Sequence, residues 1–182
     1  MTVDIPILST ARLTLSGHRA EDLDDSLAMW SDPDVTRYVG GKPFGREEVW
    51  ARLLRYVGHW TMFGYGFWQV RETATGRFVG EVGLADFKRD IAVSFDGAPE
   101  AGWVLAPWSH GKGYATEAMT AALTWTAAAG CRRTVCLIDP LNAASLGVAA
   151  KCGYREVARS QYKRSEVVVL ERLATAYTPV RS

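Results

Sequence analysis

HGKGYATEA, residues 110–118, is the stretch that decides the fold, because it joins a strand-like segment directly to an amphipathic helical pattern. Gly111 and Gly113 lack a Cβ, so the backbone of this turn can approach a ligand closely. Unpaired N–H groups at the positive end of the following helix would face a bound anion, and they belong to Gly113, Tyr114, Ala115 and Thr116. The stretch therefore predicts a pyrophosphate cradle, although a plain glycine turn with a helix cap fits the local spacing equally well.

Two familiar nucleotide-binding loops do not fit this stretch. A Walker loop requires GxxxxGK followed by Ser or Thr, and that pattern is not met here. The dinucleotide fingerprint requires a third glycine where Thr116 stands, and it normally follows an early strand. The pattern excludes both loops.

Hydrophobic periodicity on either side of the turn predicts a mixed α/β domain, with an antiparallel front half and strand-helix-strand units behind it. Helices are predicted at 21–31, about 47–63, about 114–129 and 143–152. Strands are predicted around Leu13 and Leu15, at 67–71, 78–84, 101–105 and 134–138, near Arg155, and at 167–170. We therefore expect about seven strands and four helices in one domain over residues 1–182, with an ordered core of about 8–173 and a loose tail at 174–182.

The balance of charges argues against a nucleic-acid partner. The chain has 21 Lys and Arg residues against 20 Asp and Glu residues, a formal net charge of +1. A duplex-binding surface needs an excess of cations to displace counterions, and the overall composition supplies none.

The remaining composition predicts a cytoplasmic protein with no membrane segment and no metal. The N-terminus has no basic start followed by an apolar run, and no stretch approaches the roughly 18 apolar residues of a membrane span. Cys131, Cys136 and Cys152 form no CxxC pair, so they indicate neither a zinc site nor a disulfide framework. We expect them to be small core residues in a reducing compartment.

The sequence resembles the GNAT superfamily of N-acyltransferases, whose pyrophosphate loop follows the pattern Gln/Arg-x-x-Gly-x-Gly/Ala. Residues 110–115 match it, except that His110 replaces Gln or Arg. The branch typified by ribosomal-protein alanine N-acetyltransferases of the RimJ and RimL type is similar in PEAGWVLAPWSHGKGYATEA (99–118), SDPDVTRYV (31–39) and NAASLGVAAKCGY (142–154). The resemblance covers nearly the whole chain, and stretches in this order are hard to explain by chance.

The resemblance implies a GNAT fold in which two neighbouring parallel strands splay apart and the pantetheine arm of acyl-CoA lies in the gap. The strand at 103–105 would form one wall, with the main chain of Val104 and Leu105 offering hydrogen bonds. Gly102 suits a bulge that would open such a gap. Lys112 lies in the loop and could attract the phosphates of CoA.

Two residues of the segment at 142–154 are implied at the thioester end of the cofactor. Asn142 matches the family asparagine that bonds the pantetheine, although an Asn before Ala143 is also a good helix N-cap. Ser145 stands where this branch commonly has a serine facing the sulfur. Many relatives carry a tyrosine acid four residues farther on, where this chain has Ala149, so Ser145 or solvent is left to protonate the thiolate.

Direct acetyl transfer requires a base, because only the free amine is nucleophilic. Glu100 matches the glutamate that precedes the cofactor strand in relatives, and burial would raise its pKa toward neutrality. Glu81, on the neighbouring hairpin, is the alternative, and either could instead be a solvated carboxylate. The aromatic residues between Tyr56 and Trp68 would line an acceptor pocket or simply pack in the core.

The function implied is acetyl-CoA-dependent N-acetylation of a primary amine, either a protein N-terminus or a small molecule, with a homodimer as a further possibility. No cysteine sits beside an evident activating histidine, which disfavours a covalent route. The alternative is a module that keeps the acyl-CoA cradle but senses the ligand with little catalysis. The departures at His110 and Ala149 support that alternative.

Overall fold

The computed structural model describes residues 4–174 of the chain. Its central element is one eight-stranded sheet. Its strands are β1 (Leu8–Ser9), β2 (Leu13–Ser16), β3 (Phe67–Glu72), β4 (Phe78–Ala85), β5 (Glu100–Leu105), β6 (Arg133–Ile138), β7 (Arg155–Tyr162) and β8 (Ser165–Leu173). Five α-helices accompany it in these residues: α1 (Leu23–Trp30), α2 (Pro33–Thr36), α3 (Arg46–Phe63), α4 (Tyr114–Ala128) and α5 (Ala143–Lys151).

The strands lie in the order β1-β2-β3-β4-β5-β6-β8-β7. All neighbours are antiparallel except β5 and β6, which are parallel. This parallel pair is in register at one position only, where Glu100 lies opposite Val135. The mixed sheet with a central splay, which the resemblance implied, is confirmed.

Helices cover both faces of the sheet. On one face, α4 and α5 share a core with strands of both halves of the sheet, which includes Leu15, Trp68, Met119 and Leu170. On the other face, α1 and α3 form a second core with β4, which includes Trp30, Val49, Leu53 and Phe78. The splay lies where β5 leaves the antiparallel half of the sheet, so both cores support its edge.

The long helix α3 follows its amphipathic pattern. Val49, Leu53, Tyr56 and Trp60 recur at helical spacing and are buried. Val57, which the spacing also predicted on this face, is instead 40% exposed, and Tyr56 takes its place. The helix ends at Gly64, which adopts a φ of 70° that glycine accepts readily. None of the helices within residues 4–174 is both long and apolar enough to cross a bilayer.

The counts of strands and helices exceed the prediction by one each. The additional strand is β1, whose two residues are too few to show an alternating pattern. The additional helix is α2, which starts directly after α1 because the Asp32 carboxylate accepts the Asp34 N–H at 2.8 Å. The predicted tail at 174–182 lies outside the described residues apart from Ala174, whose N–H donates to the carbonyl of Arg132 at 2.7 Å.

The prediction of a bulge at Gly102 is wrong. β4 and β5 pair without a register shift over six positions, and Gly102 lies regularly opposite Gly83. Register shifts instead occur between β3 and β4, near Val70 and Arg71, and between β7 and β8, near Glu156 and Ala158. Gly102 makes room for an aromatic ring, since a Cβ there would lie 3.0 Å from Cζ of Phe67.

Candidate active site

A cleft opens where β5 and β6 separate. One side is built from the two strands and the start of α5, and the other side comes from α1, α3, the start of β3 and the segment after β4. The predicted residues Glu100, Val104, Asn142 and Ser145 line it. Its opposite wall contains Trp30, Arg52, Tyr56, Phe67 and Arg89. The topology therefore brings together residues that are far apart in sequence.

The glycine-rich turn forms an open cradle at the start of α4. Gly111 and Gly113 have φ values of 74° and 80°, the left-handed region that favours glycine. No side chain caps α4, so its first N–H groups are free to meet a ligand. A Cβ at Gly111 would meet nothing within 4 Å, and one at Gly113 would come no closer than 3.6 Å to the Arg12 guanidinium. The turn thus has the space and the donors that a pyrophosphate requires.

Arg12, which directly precedes β2, braces this cradle, a contact that local sequence patterns do not reveal. Its guanidinium donates to the carbonyl of Lys112 at 3.0 Å and to the carboxylate of Glu117 at 2.7 Å. Thr10 donates to the same carboxylate at 2.6 Å. The Lys112 ammonium lies 4.5 Å from the centre of the Trp108 ring, exposed beside the turn.

His110 folds back onto the strand that precedes it. Its Nε2 lies 2.9 Å from the carbonyl oxygen of Leu105, so Nε2 carries the proton and donates it. This bond ties the turn to the end of β5. The imidazole stands where the family pattern has Gln or Arg, and in this structure it serves as a brace.

Asn142 caps the N-terminus of α5 by a hydrogen bond to Ser145, which is one of the two roles predicted for it. Oδ1 of Asn142 accepts the N–H of Ser145 at 3.1 Å. Both residues also line the cleft, so capping leaves the amide nitrogen of Asn142 available for a ligand. Ala149 is 0% exposed, so nothing at that position reaches the cleft.

Glu100 is buried in the cleft against Arg89, and only 6% of the residue is exposed. Nη2 of Arg89 donates to Oε1 at 2.5 Å, and Nε donates to Oε2. Burial raises the pKa of Glu100 above its ordinary value, while the Arg89 guanidinium offsets part of that rise. The carboxylate is therefore poised to exchange a proton at higher pH than an exposed glutamate. Arg89 lies in an irregular segment and gave no sequence signal.

Glu81 has a different environment. It is 0% exposed, its Oε1 accepts from Oγ of Ser26 at 2.8 Å, and its Oε2 accepts from Nε1 of Trp30 at 2.9 Å. Burial acts to raise its pKa, but His18 and these two donors outweigh burial and hold the pKa below the ordinary value. Glu81 lies outside the cleft, within the contact between α1 and β4. Of the two candidate bases, the cleft contains Glu100.

The predicted aromatic run divides between two environments. Tyr56 and Phe67 line the cleft and stack with their ring centres 4.6 Å apart. Trp60 and Trp68 instead pack edge to face in the core. Cys136 also lines the cleft, and burial strongly raises the pKa of its thiol. Across residues 4–174, no three His, Cys, Asp or Glu side chains gather in a way that could hold a metal ion.

Comparison with known proteins gives a consistent result. A family model described as an acetyltransferase (GNAT) domain matches residues 12–155. The uncharacterized N-acetyltransferase p20 of Bacillus licheniformis is 28% identical over 113 residues, which cover 62% of this chain and 61% of that relative. The chain thus aligns with about three fifths of the length of this curated relative.

Solved structures match over more of the chain. A Bordetella pertussis protein assigned to the GnaT acetyltransferase family has a TM-score of 0.80 at 30% identity, covering 92% of this chain and 99% of that one. A Salmonella typhimurium acetyltransferase that modifies the N-terminal serine of ribosomal protein L7/L12 has a TM-score of 0.75 at 15% identity, covering 93% and 100%. The second likeness is one of fold alone.

Proposed function

The chain belongs to the GNAT acetyltransferase family and is an acyltransferase, and on this basis we propose that it transfers acetyl from acetyl-CoA to a primary amine by direct transfer. One observation carries the proposal. β5 pairs with β6 only at Glu100 and Val135, so the main chain beyond that point faces a gap beside the uncapped start of α4. A thioester with a phosphorylated tail suits this arrangement. We further propose that residues 1–182 form a single acetyltransferase domain.

The donor would be held mainly by the backbone. The N–H groups of residues 113–116 would bind the pyrophosphate, with Lys112 adding positive charge. Leu105 would bond the pantetheine arm through its main-chain N–H on the unpaired edge of β5, since its carbonyl already accepts from His110, and Val104 would line the path of the arm from the same strand. The amide nitrogen of Asn142 would donate to the same arm, since its oxygen already caps α5.

The acceptor would arrive as an ammonium and lose a proton to Glu100, directly or through one water. Its nitrogen would then attack the thioester carbonyl, forming the N–C bond. The backbone N–H groups near Leu105 would stabilise the developing oxyanion. As the C–S bond breaks, Ser145 would contact the sulfur, and the thiolate would take its proton from that hydroxyl or from solvent. The nitrogen would lose its second proton to solvent, which would also return a proton to Ser145 where the hydroxyl had donated.

A panel of amines and peptides tests this function through the release of free CoA thiol from acetyl-CoA. We expect thiol release that depends on the amine, together with an equal amount of amide product by mass spectrometry. Saturable acetyl-CoA binding with no turnover on any amine would instead identify the chain as a ligand-sensing module. Such a module is the second candidate, since Ala149 removes the tyrosine acid that many relatives use.

A further inference from the structure

Arg52 lines the wall of the cleft opposite Asn142 and Ser145, the residues proposed to meet the thioester end of the cofactor. It projects from α3, and its guanidinium is 3.8 Å from the ring centre of Trp30 and 4.9 Å from that of Phe44. Contact with the aromatic rings restricts the guanidinium plane without using its N–H groups. The half-buried side chain is therefore held in place with its donors largely free.

Those donors have little to bind within the protein. Nη1 of Arg52 makes one long hydrogen bond, to the hydroxyl of Tyr56 at 3.4 Å. No carboxylate among residues 4–174 comes within the 4.0 Å of an ion pair with Arg52. Glu48, one turn earlier on α3, is engaged by Lys42 at 3.2 Å and by the N–H of Gly45 at 2.9 Å. A guanidinium that lines a cleft without a carboxylate partner can bind an external anion.

The surroundings of Arg52 carry an excess of positive charge. Burial lowers the pKa of Arg55, and the charges of Arg52 and Arg89 lower it further, as expected where three guanidinium groups lie near one another. Arg89 is neutralised by Glu100, whereas Arg52 is not paired in this way. Asp139 lines the opposite end of the cleft, where its carboxylate accepts the N–H of Leu141 at 2.8 Å. The uncompensated charge on the acceptor wall is thus positive.

We propose that Arg52 binds an oxyanion group, a carboxylate or a phosphate, carried by the amine acceptor. The proposal rests on the function proposed above, since it assigns a class to the acceptor of that reaction. A planar guanidinium fork matches two oxygens of either group, and the pair would fix the amine relative to Glu100. Polyamines fit this wall poorly, because they would bring more positive charge to Arg52.

Matched acceptors that differ only in the oxyanion test the proposal. The panel pairs ω-amino acids with their carboxamides, aminoalkyl phosphates with the amino alcohols, and peptides carrying Glu with those carrying Gln. Both kcat/KM for acetylation and the affinity of the acceptor for the CoA complex are measured. The wild-type protein should favour one oxyanion series over its neutral series by about tenfold or more. The series that is favoured identifies carboxylate or phosphate.

Arg52→Gln is compared with Arg55→Gln, a neighbour on α3 that does not line the cleft. Arg52→Gln should reduce the ratio of oxyanion to neutral acceptor by about tenfold, and Arg55→Gln should leave that ratio unchanged. Equal use of both series by the wild type, or a preference that survives Arg52→Gln, would overturn the proposal. Oxyanion binding that depends on Arg52 without any amide product would support it while contradicting the proposed catalysis. Acetyl-CoA affinity in each variant shows that the fold is intact.

Discussion

Arg89 holds the carboxylate of Glu100 through both of its oxygens, at the point where β5 and β6 begin to separate. The two residues are 11 positions apart, and the arginine comes from the irregular segment between β4 and β5. The pair joins a buried acid to a cation that opposes the effect of burial. If Glu100 accepts the proton of the acceptor ammonium, Arg89 sets the pH range in which it can do so.

Arg89→Gln should shift the acidic limb of the kcat/KM profile to higher pH. Without the guanidinium, burial is unopposed and the pKa of Glu100 rises further, so a larger fraction is protonated and inactive near neutrality. Lys88→Gln, which removes a neighbouring exposed cation, is the control and should keep the wild-type profile. An unshifted profile in Arg89→Gln would show that Glu100 does not control the reaction.

The same variant should lose stability in a pH-dependent way. A carboxyl whose pKa is raised in the folded state favours folding at low pH, and that contribution is lost as the pH rises through the folded value. Arg89→Gln should therefore be close to the wild type at pH 4, below the ordinary pKa of a glutamate of about 4.3, and less stable by about 3 kcal/mol at pH 8, where folding must either bury Glu100 as an unpaired charge or take up a proton. Urea unfolding at the two pH values measures the difference.

Glu81 should prove to be structural. Glu81→Ala leaves the Trp30 N–H buried without an acceptor and opens a cavity, which should lower the free energy of unfolding by about 3 kcal/mol. Glu81→Gln should fold and turn over normally, because its amide oxygen can accept from Trp30 while its NH2 donates to Ser26. A folded Glu81→Gln variant with wild-type acetyl-CoA affinity and crippled turnover would make Glu81 the base.

Asn142 has a cap role and a proposed ligand role that two substitutions separate. Asn142→Ala should cost about 1 kcal/mol of stability and weaken acetyl-CoA binding, because it removes both groups of the amide. Asn142→Asp keeps the capping oxygen and should retain stability, but it loses the N–H donor and adds a charge. Weaker acetyl-CoA binding in a stable Asn142→Asp variant is the expected result in a calorimetric titration. Wild-type acetyl-CoA affinity in Asn142→Asp would show that Asn142 only caps the helix.

The phosphate cradle can be tested with a control for backbone strain. Gly113 and Gly76 have φ values of 80° and 70°, and at neither position would a Cβ meet an atom closer than 3.6 Å. Gly113→Ala and Gly76→Ala should therefore lose similar stability, about 1 kcal/mol each. Only Gly113→Ala should weaken acetyl-CoA binding, by about tenfold or more. Equal affinities of the two variants for acetyl-CoA would show that the pyrophosphate does not bind at this turn.

Features encoded over a few neighbouring residues could be predicted from the sequence. Most of the buried face of α3 follows from its helical spacing. Gly111 and Gly113 indicated the turn before α4, and both adopt positive φ values there. The two-residue β1 carries too little pattern to detect. The prediction of a bulge at Gly102 was wrong because a glycine is needed there for the Phe67 ring to pack closely, while the register of the strand stays regular.

Contacts that depend on the tertiary fold could not be predicted in the same way. Arg12 and Glu117 meet across 105 positions, and neither residue stands in a pattern that points to the other. The partner of Glu100 lies in a segment without periodicity, so Arg89 looks like any other surface cation in the sequence. That no carboxylate between residues 4 and 174 pairs with Arg52 is likewise visible only in the folded structure. The family resemblance supplied the candidate residues, and the fold supplied their partners.

The most direct test of the account is the pH dependence of acetyl transfer by Glu100→Gln. We predict wild-type acetyl-CoA affinity and a turnover that is about 100-fold lower while the acceptor is an ammonium. The defect should shrink as the pH approaches the pKa of the amine, about 8 for an α-amine or about 10.4 for a lysine, because the acceptor then arrives as the free base. Wild-type rates in Glu100→Gln at every pH would contradict the account and leave the proton to solvent or to the acceptor itself.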